Sequence, residues 1–381
     1  MPSSLTRLRP VRLGALTVAA AAALAVALAA PAGSALAHEV PNAFQQTNLI
    51  SDRTDQGAQV VDPDLRNAWG LAMTATSPLW VANNNSGTST IYTIPAGGTT
   101  AKKAGLTVTV PGGRVSTGDS SSPTGQVANS TAGFVVTSNA GSGPALFIFS
   151  SESGQITAWN PTADPISAGM STASLVFSSP TAVYKGLAMG STSDGSTFLY
   201  ASNFHDGTVD VFNSQFQHVF LAGHFRDPFL PRGYAPFGIQ ELNGQLYVTY
   251  ALQDAARHDD VAGLGHGFVD VFTNDGFLVR RLVSGGVLDS PWGLAIAPAG
   301  FGPFGGQLLV GNFRNGLIHV YSLTGRPEGR LRNAQHKPIQ IDHLWALTFG
   351  TASTGGTGTL LFSAGINDEQ DGLVGSINPA P

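Results

Sequence analysis

Beyond its first forty residues the chain alternates apolar and polar positions over short runs, and no stretch sustains the 3.6-residue spacing of a helix. Runs such as "LLVGN", "LIHVY", "FLYASN" and "TVDVF" are bounded by Gly, Asn, Asp and Ser, the pattern of half-buried strands joined by tight turns. The pattern predicts an all-β protein, and the runs recur as a unit. The clearest copy, "SPWGLAIAPAGFGPFGGQLLVGNFRNGLIHVYSLTGRPEGRL" from Ser290, predicts an inner strand after Trp-Gly, a second at residues 307–311, an Asn-Gly turn, a third at 317–321 and then a fourth. Copies begin near Trp69, Pro123, Tyr184, Pro236 and Leu344, with small residues at Gly70, Gly125, Gly186, Gly238, Gly293 and Ala346. Units of four short strands every 55 or so residues, six in number, predict a six-bladed β-propeller. Small anchors suit it, because the inner strands of all blades crowd one axis where side chains would collide.

The last copy lacks a fourth strand, while "FQQTNLIS" at residues 44–51 lies before the first copy with no partner of its own. Pairing the two closes the ring and removes both open edges, so residues 38–381 are expected to form a single domain. The connection after the second strand of the fourth copy, "YALQDAARHDDVAGLGHGFVDVF", is expected to spend about sixteen residues where the other copies turn within a few, a length at which irregular loops tend to be functional.

Residues 1–37 place Arg7, Arg9 and Arg12 before an Ala-rich apolar run and an Ala-Leu-Ala site, the layout of a secretory signal peptide cleaved before His38. A membrane anchor is the alternative, opposed by the Pro-Ala-Gly that ends the run. The expectation is a secreted protein, extracellular or periplasmic, monomeric and without a membrane span after cleavage. The net charge of −5 becomes −8 when those three arginines are removed with a segment that carries no acid. An acidic chain lacks the basic patch that nucleic acid requires. The absence of cysteine excludes disulfides and thiolate metal sites.

The frame P-x-G-[IL]-A…G-x-L-x-V-x-N…G-x-I-x-V-[FY] resembles the NHL-type propeller repeat. The longer motifs "NFHDGTVDVF", "DPFLPRGYAPFGIQ", "YVTYALQDAARHDDVAGLGHGFVDVF" and "SPWGLAIAPAGFG" are similar to those of an uncharacterised family of secreted bacterial NHL-like six-bladed propeller proteins. The resemblance implies the fold and transfers no catalytic residue.

In a propeller the second-to-third-strand loops and the blade-entry loops emerge on one face, around the mouth of the channel, where residues distant in sequence converge. This sorting gathers Asn203, His205, Asp206, Lys185, Asp254, His258, Asp259, Asn312, Asp368 and Glu369 as candidate ligand-binding residues, beside Trp69, Phe237, Trp292 and Trp345. A non-enzymatic site for a small molecule, glycan or protein is one reading. The other is a metal-assisted hydrolase or lyase with His205 or His258 as general base. Asp206, Asp254, Asp259 and Asp260 would be its candidate ligands for a divalent ion such as calcium, which takes oxygen donors. Each element also has a structural reading: the aromatics as wedges between blades, Lys185 in a salt bridge, the asparagines bonding their own turns, and Asp259 or Asp260 capping the amides of the loop. A mobile lid formed by the fourth-copy loop, with His258 and Asp259 facing His205 and Asp206, is the corresponding functional expectation.

Overall fold

The structure is a computed structural model that describes residues 41–112 and 121–380; the expected signal peptide lies outside them. Six antiparallel sheets form the blades of a propeller. Blade 1 runs outward through Ala68–Ala72, Leu79–Asn83, Thr88–Thr93 and Lys102–Thr109, and blade 2 through Pro123–Ala128, Phe147–Ser151, Gln155–Trp159 and Ser174–Ser178. Blade 3 comprises Tyr184–Ser191, Thr197–Asn203, Thr208–Phe212 and His218–Val219; blade 4 comprises Tyr234–Leu242, Gln245–Leu252, Phe268–Thr273 and Leu278–Ser284. Blade 5 is Pro291–Ile296, Leu308–Asn312, Ile318–Tyr321 and Pro327–Arg330. Among the described residues the one helical segment is a 3-10 turn, Gly302–Phe304, and no helix is long and apolar enough to cross a membrane.

Blade 6 takes three strands from the end of the chain, Leu344–Phe349, Leu360–Ala364 and Leu373–Pro379, and its fourth from the start, Phe44–Ser51. The closing pair is antiparallel from Phe44 opposite Pro379 to Ser51 opposite Leu373, with one bulge near Asn48. Phe44, Leu49 and Ile50 on the closing strand are fully buried, each contributing about 1.5–3 kcal/mol of transfer free energy. Short parallel strands, Val60–Val61 and Met170–Thr172, cover the outer edges of blades 6 and 1.

The inner strands explain the small anchors. A Cβ on Gly238 would stand 2.2 Å from the carbonyl oxygen of Trp292 in the next blade, and one on Gly70 would stand 2.4 Å from that of Thr124. Hydroxyls then join the blades: Thr124 Oγ1 donates to Tyr184 O at 2.7 Å and Ser202 Oγ to Phe237 O at 2.7 Å. Apolar layers fill the wedges between blades, as where Ile148 and Ile156 of blade 2 pack with Leu199 and Phe212 of blade 3. The ring therefore presents its inner-strand N-termini around one opening, with the approach loops of every blade beside them.

Candidate ligand site at the propeller mouth

Aromatic residues at the blade entries floor the opening. Trp69 stacks on Trp345 with ring centres 3.5 Å apart, and Trp345 stacks in turn on Phe313 at 3.9 Å. Phe237 lies 5.8 Å and Trp292 5.9 Å from Trp345. Trp69, Phe237, Phe313 and Trp345 are buried, which fits the wedge reading; Trp292 is only half-buried. The indole N–H of Trp345 donates to Asn67 Oδ1 at 2.9 Å and that of Trp292 to Lys185 O at 3.0 Å. That of Trp69 meets no acceptor among the described residues.

Lys185 sits over this floor, its ammonium 5.5 Å from the Trp69 ring centre and its side chain 3% exposed. It pairs with Glu152 from blade 2 and, at 3.2 Å, with Asp259 from blade 4. Burial alone would lower the lysine's pKa, but the charges of Glu152, Asp259 and Glu369 outweigh it and raise it. The group is thus an ammonium with no free electron pair, a fixed positive charge rather than a nucleophile. The second oxygen of Glu152 accepts from Asn84 Nδ2 at 2.9 Å. Glu369 enters from blade 6, accepting from Asn67 Nδ2 at 3.1 Å. Burial and the Glu152 charge push its pKa up. Three consecutive left-handed residues, Asn367, Asp368 and Glu369 (φ 56°, 53° and 63°), turn the chain there, and no glycine announces them. Arg314 of blade 5 grips Asp260 through two bonds of 2.8 Å. Each of the six blades thus delivers a polar side chain to one opening.

The fourth-blade loop reaches the mouth through Asp259. Its internal cap is Asp254, not Asp259 or Asp260: Asp254 Oδ1 accepts the amides of His258 at 2.9 Å and Asp259 at 3.4 Å. Asp260 is instead consumed by Arg314. His258 Nδ1 lies 3.0 Å from Asp259 Oδ1, and this bond raises the histidine's pKa and holds that of Asp259 well below the usual carboxylate range. His258 and Asp259 were expected to face His205 and Asp206. Among the described residues these pairs share no hydrogen bond or ion pair, and the loop meets blade 3 through Asp259 on Lys185 and through Gln253 Nε2, which donates to the carbonyls of Phe204 and His205.

The remaining expected site residues serve their own turns. Asn203 Nδ2 donates to Asp206 at 2.9 Å and to Asp210 at 3.0 Å, and Asn312 Nδ2 donates to Val287 O at 2.8 Å. His205 Nδ1 lies 2.9 Å from Asp206. Burial would raise the pKa of Asp206, yet its bonds to His205 and Asn203 bring it down. Asp368 is 91% exposed, with His343 Nε2 3.7 Å from its Oδ1. Of the proposed metal ligands, Asp259 joins Glu152 and His258 in a group whose donor atoms lie within 4.8 Å of one another; Asp206, Asp254 and Asp260 do not. Glu152 and Asp259 also hold the Lys185 ammonium, so a cation there would meet like charge. Sequence reasoning passed over Asn67, whose amide orients Glu369, and placed Asn84, whose amide orients Glu152, on the mouth face without singling it out.

No protein-family model matches the chain. Over 336 residues it is 33% identical to "Uncharacterized protein R648" of Acanthamoeba polyphaga mimivirus, spanning 86% of this chain and 78% of that protein. It is 32% identical to "Uncharacterized protein L690" of the same virus, over 86% of this chain and 84% of that one. These relatives are viral, where a bacterial family was expected. Among solved structures, virginiamycin B lyase from Staphylococcus aureus superposes with a TM-score of 0.45 at 13% identity, covering 88% of this chain and 98% of that one. The Xanthomonas campestris gluconolactonase XC5397 gives 0.33 at 14%, covering 61% and 82%. Nothing about the chemistry of this chain follows from such distant likenesses.

Proposed function

The chain belongs to the same family as the mimivirus proteins R648 and L690, and we propose that it is an exported propeller that binds a ligand at the mouth of its channel, without chemistry on it. A small molecule, a glycan or a segment of protein is the class of ligand that a polar opening of this kind takes. The observation that carries the reading is the convergence of Asn84, Glu152, Lys185, Asp259, Arg314 and Glu369, one from each blade, above a closed aromatic floor. Ring closure and the apolar layers between blades use other residues.

Export rests on the leader pattern of residues 1–37 and is tested by N-terminal sequencing of secreted protein, which should begin at His38. Binding is tested by a thermal-shift screen of metabolites and oligosaccharides on the wild type and on the Glu152→Gln/Glu369→Gln variant. Ligands that stabilise the wild type should show a changed effect on the variant. Ligands that stabilise both alike would place binding elsewhere and end the proposal.

The second reading, a metal-assisted hydrolase or lyase, draws on the grouping of Glu152, His258 and Asp259. An ion there would use His258 nitrogen and two carboxylates, and would supply Lewis acidity. Elemental analysis of protein purified without chelator decides between the two: one tightly held divalent ion per chain favours the enzyme, and none favours the binding protein.

A further inference from the structure

Lys185 has two partners of unlike kind. Glu152 is 13% exposed and fixed by Asn84, whereas Asp259 is 61% exposed and belongs to the exposed run from Ala255 to Asp259. The loop is pinned on either side of that carboxylate, by the Asp254 cap and by the fork between Asp260 and Arg314. Among the described residues the Asp259 carboxylate is held only by Lys185 and its neighbour His258. A rotation of this one side chain would bare a buried ammonium, with no change in the rest of the loop.

We propose that Asp259 is an internal stand-in for the ligand, and that the mouth takes a small molecule carrying a single carboxylate, which replaces Asp259 on Lys185. This rests on the mouth being the binding site. A monoanion suits the exchange because it leaves the local charge as it was. A doubly charged phosphate would face Glu152, Glu369 and Asp260 with one more negative charge than the site now holds. Trp69 adds a second argument for an acceptor-bearing ligand: its indole N–H is buried, lies on the ring beneath the ammonium and has no acceptor among the described residues, and a buried donor gains by being met.

An internal competitor lowers apparent affinity by the fraction of time the site is open. If Asp259 is seated roughly nine-tenths of the time, removing it should tighten binding about ten-fold. The probes are D-glucuronate with D-glucose as neutral counterpart, acetate with acetamide, and inorganic phosphate, titrated by tryptophan fluorescence and calorimetry. Asp259→Asn should bind glucuronate and acetate about ten-fold tighter than the wild type and should leave glucose, acetamide and phosphate without effect. Asp206→Asn, which changes net charge equally on the same face, should match the wild type. Lys185→Gln should abolish carboxylate binding; if it fails to fold, Lys185→Gln combined with Glu152→Gln removes both buried charges and serves the same end.

Equal carboxylate affinity in Asp259→Asn and wild type, or no binding by either, overturns the inference. So does a gain that Asp206→Asn shares, or tight phosphate binding. A mouth that binds glucose and acetamide as well as their acids would defeat the carboxylate assignment and leave mouth binding standing. The Glu152→Gln/Glu369→Gln screen tests mouth binding independently.

Discussion

Blades 3 and 4 carry an aspartate at the same place on their third strands, Asp210 and Asp270, in two different environments. Asp210 accepts from Tyr184 at 3.0 Å, Asn203 at 3.0 Å and Thr208 at 2.8 Å. Asp270 is fully buried and neither of its oxygens has a hydrogen-bond donor among the described residues. The Arg281 guanidinium is committed to Asp227 and stands 3.6 Å from Asp270. Burial, then the charge of Asp227, push the Asp270 pKa up to about 8 against the partial relief that Arg281 gives. The unfolded chain releases this proton near 3.8, so the folded state holds one more proton between those values. The stabilisation is complete below the unfolded value and is lost as pH rises towards 8. The slope is about 1.4 kcal/mol per pH unit, or about 3 kcal/mol between pH 5 and 7.5. For a domain of about 340 residues this corresponds to about 4 °C in melting temperature. Asp270→Asn keeps the shape and removes the titration. In melting curves from pH 5 to 7.5 the variant should gain about 4 °C on the wild type as pH rises. A difference between the two that stays constant across that range would refute the reasoning.

Three further outcomes follow from the packing. Removing residues up to 51 takes Phe44, Leu49 and Ile50 from the core and bares the edge of Leu373–Pro379, so the truncated chain should melt lower and self-associate in light scattering. Trp345→Ala should cost about 3–5 kcal/mol in denaturant unfolding, as truncation of a buried aromatic does, whereas the half-buried Trp292 should cost clearly less when replaced. His319 occupies the third-strand position of Asp270 in blade 5, and burial, helped by Arg330, pushes its pKa down to about 4 from 6.5. Its contribution is therefore full above pH 6.5 and falls by about 3 kcal/mol as pH drops towards 4; His319→Thr, the residue type of blades 1 and 2 at that position, should flatten the acid limb of the stability curve.

The architecture was legible because it rests on local rules. Period-two strands, turn residues and a recurring glycine are visible one blade at a time, and the strand at residues 44–51 could be assigned once the sixth copy was seen to lack one. The site was only half legible. Lys185 was placed at a blade entry, but whether it would meet acids depended on Glu152 and Asp259, which lie in two other blades. Asn203 and Asn312 were ambiguous because an amide that bonds a turn and one that bonds a ligand look the same in sequence. The fourth-blade loop was misjudged for a similar reason: three of its residues are acidic, and Arg314, fifty-four positions on, determines that Asp260 is taken up, leaving Asp254 to cap. Glu369 was a candidate, but nothing marked the left-handed turn that carries it inward.

The central claim is that the charged mouth, rather than any other face, is where this propeller meets its ligand. Crystals of the wild-type protein soaked with a library of small polar fragments test this most directly. The account predicts fragment density concentrated over the Trp69–Trp345 floor, within hydrogen-bonding reach of Lys185, Glu152 or Glu369. Fragments settling in the groove between Gln46 and Asn367 or at the far end of the channel beside Met73 and Met189, with the mouth left bare, would contradict it.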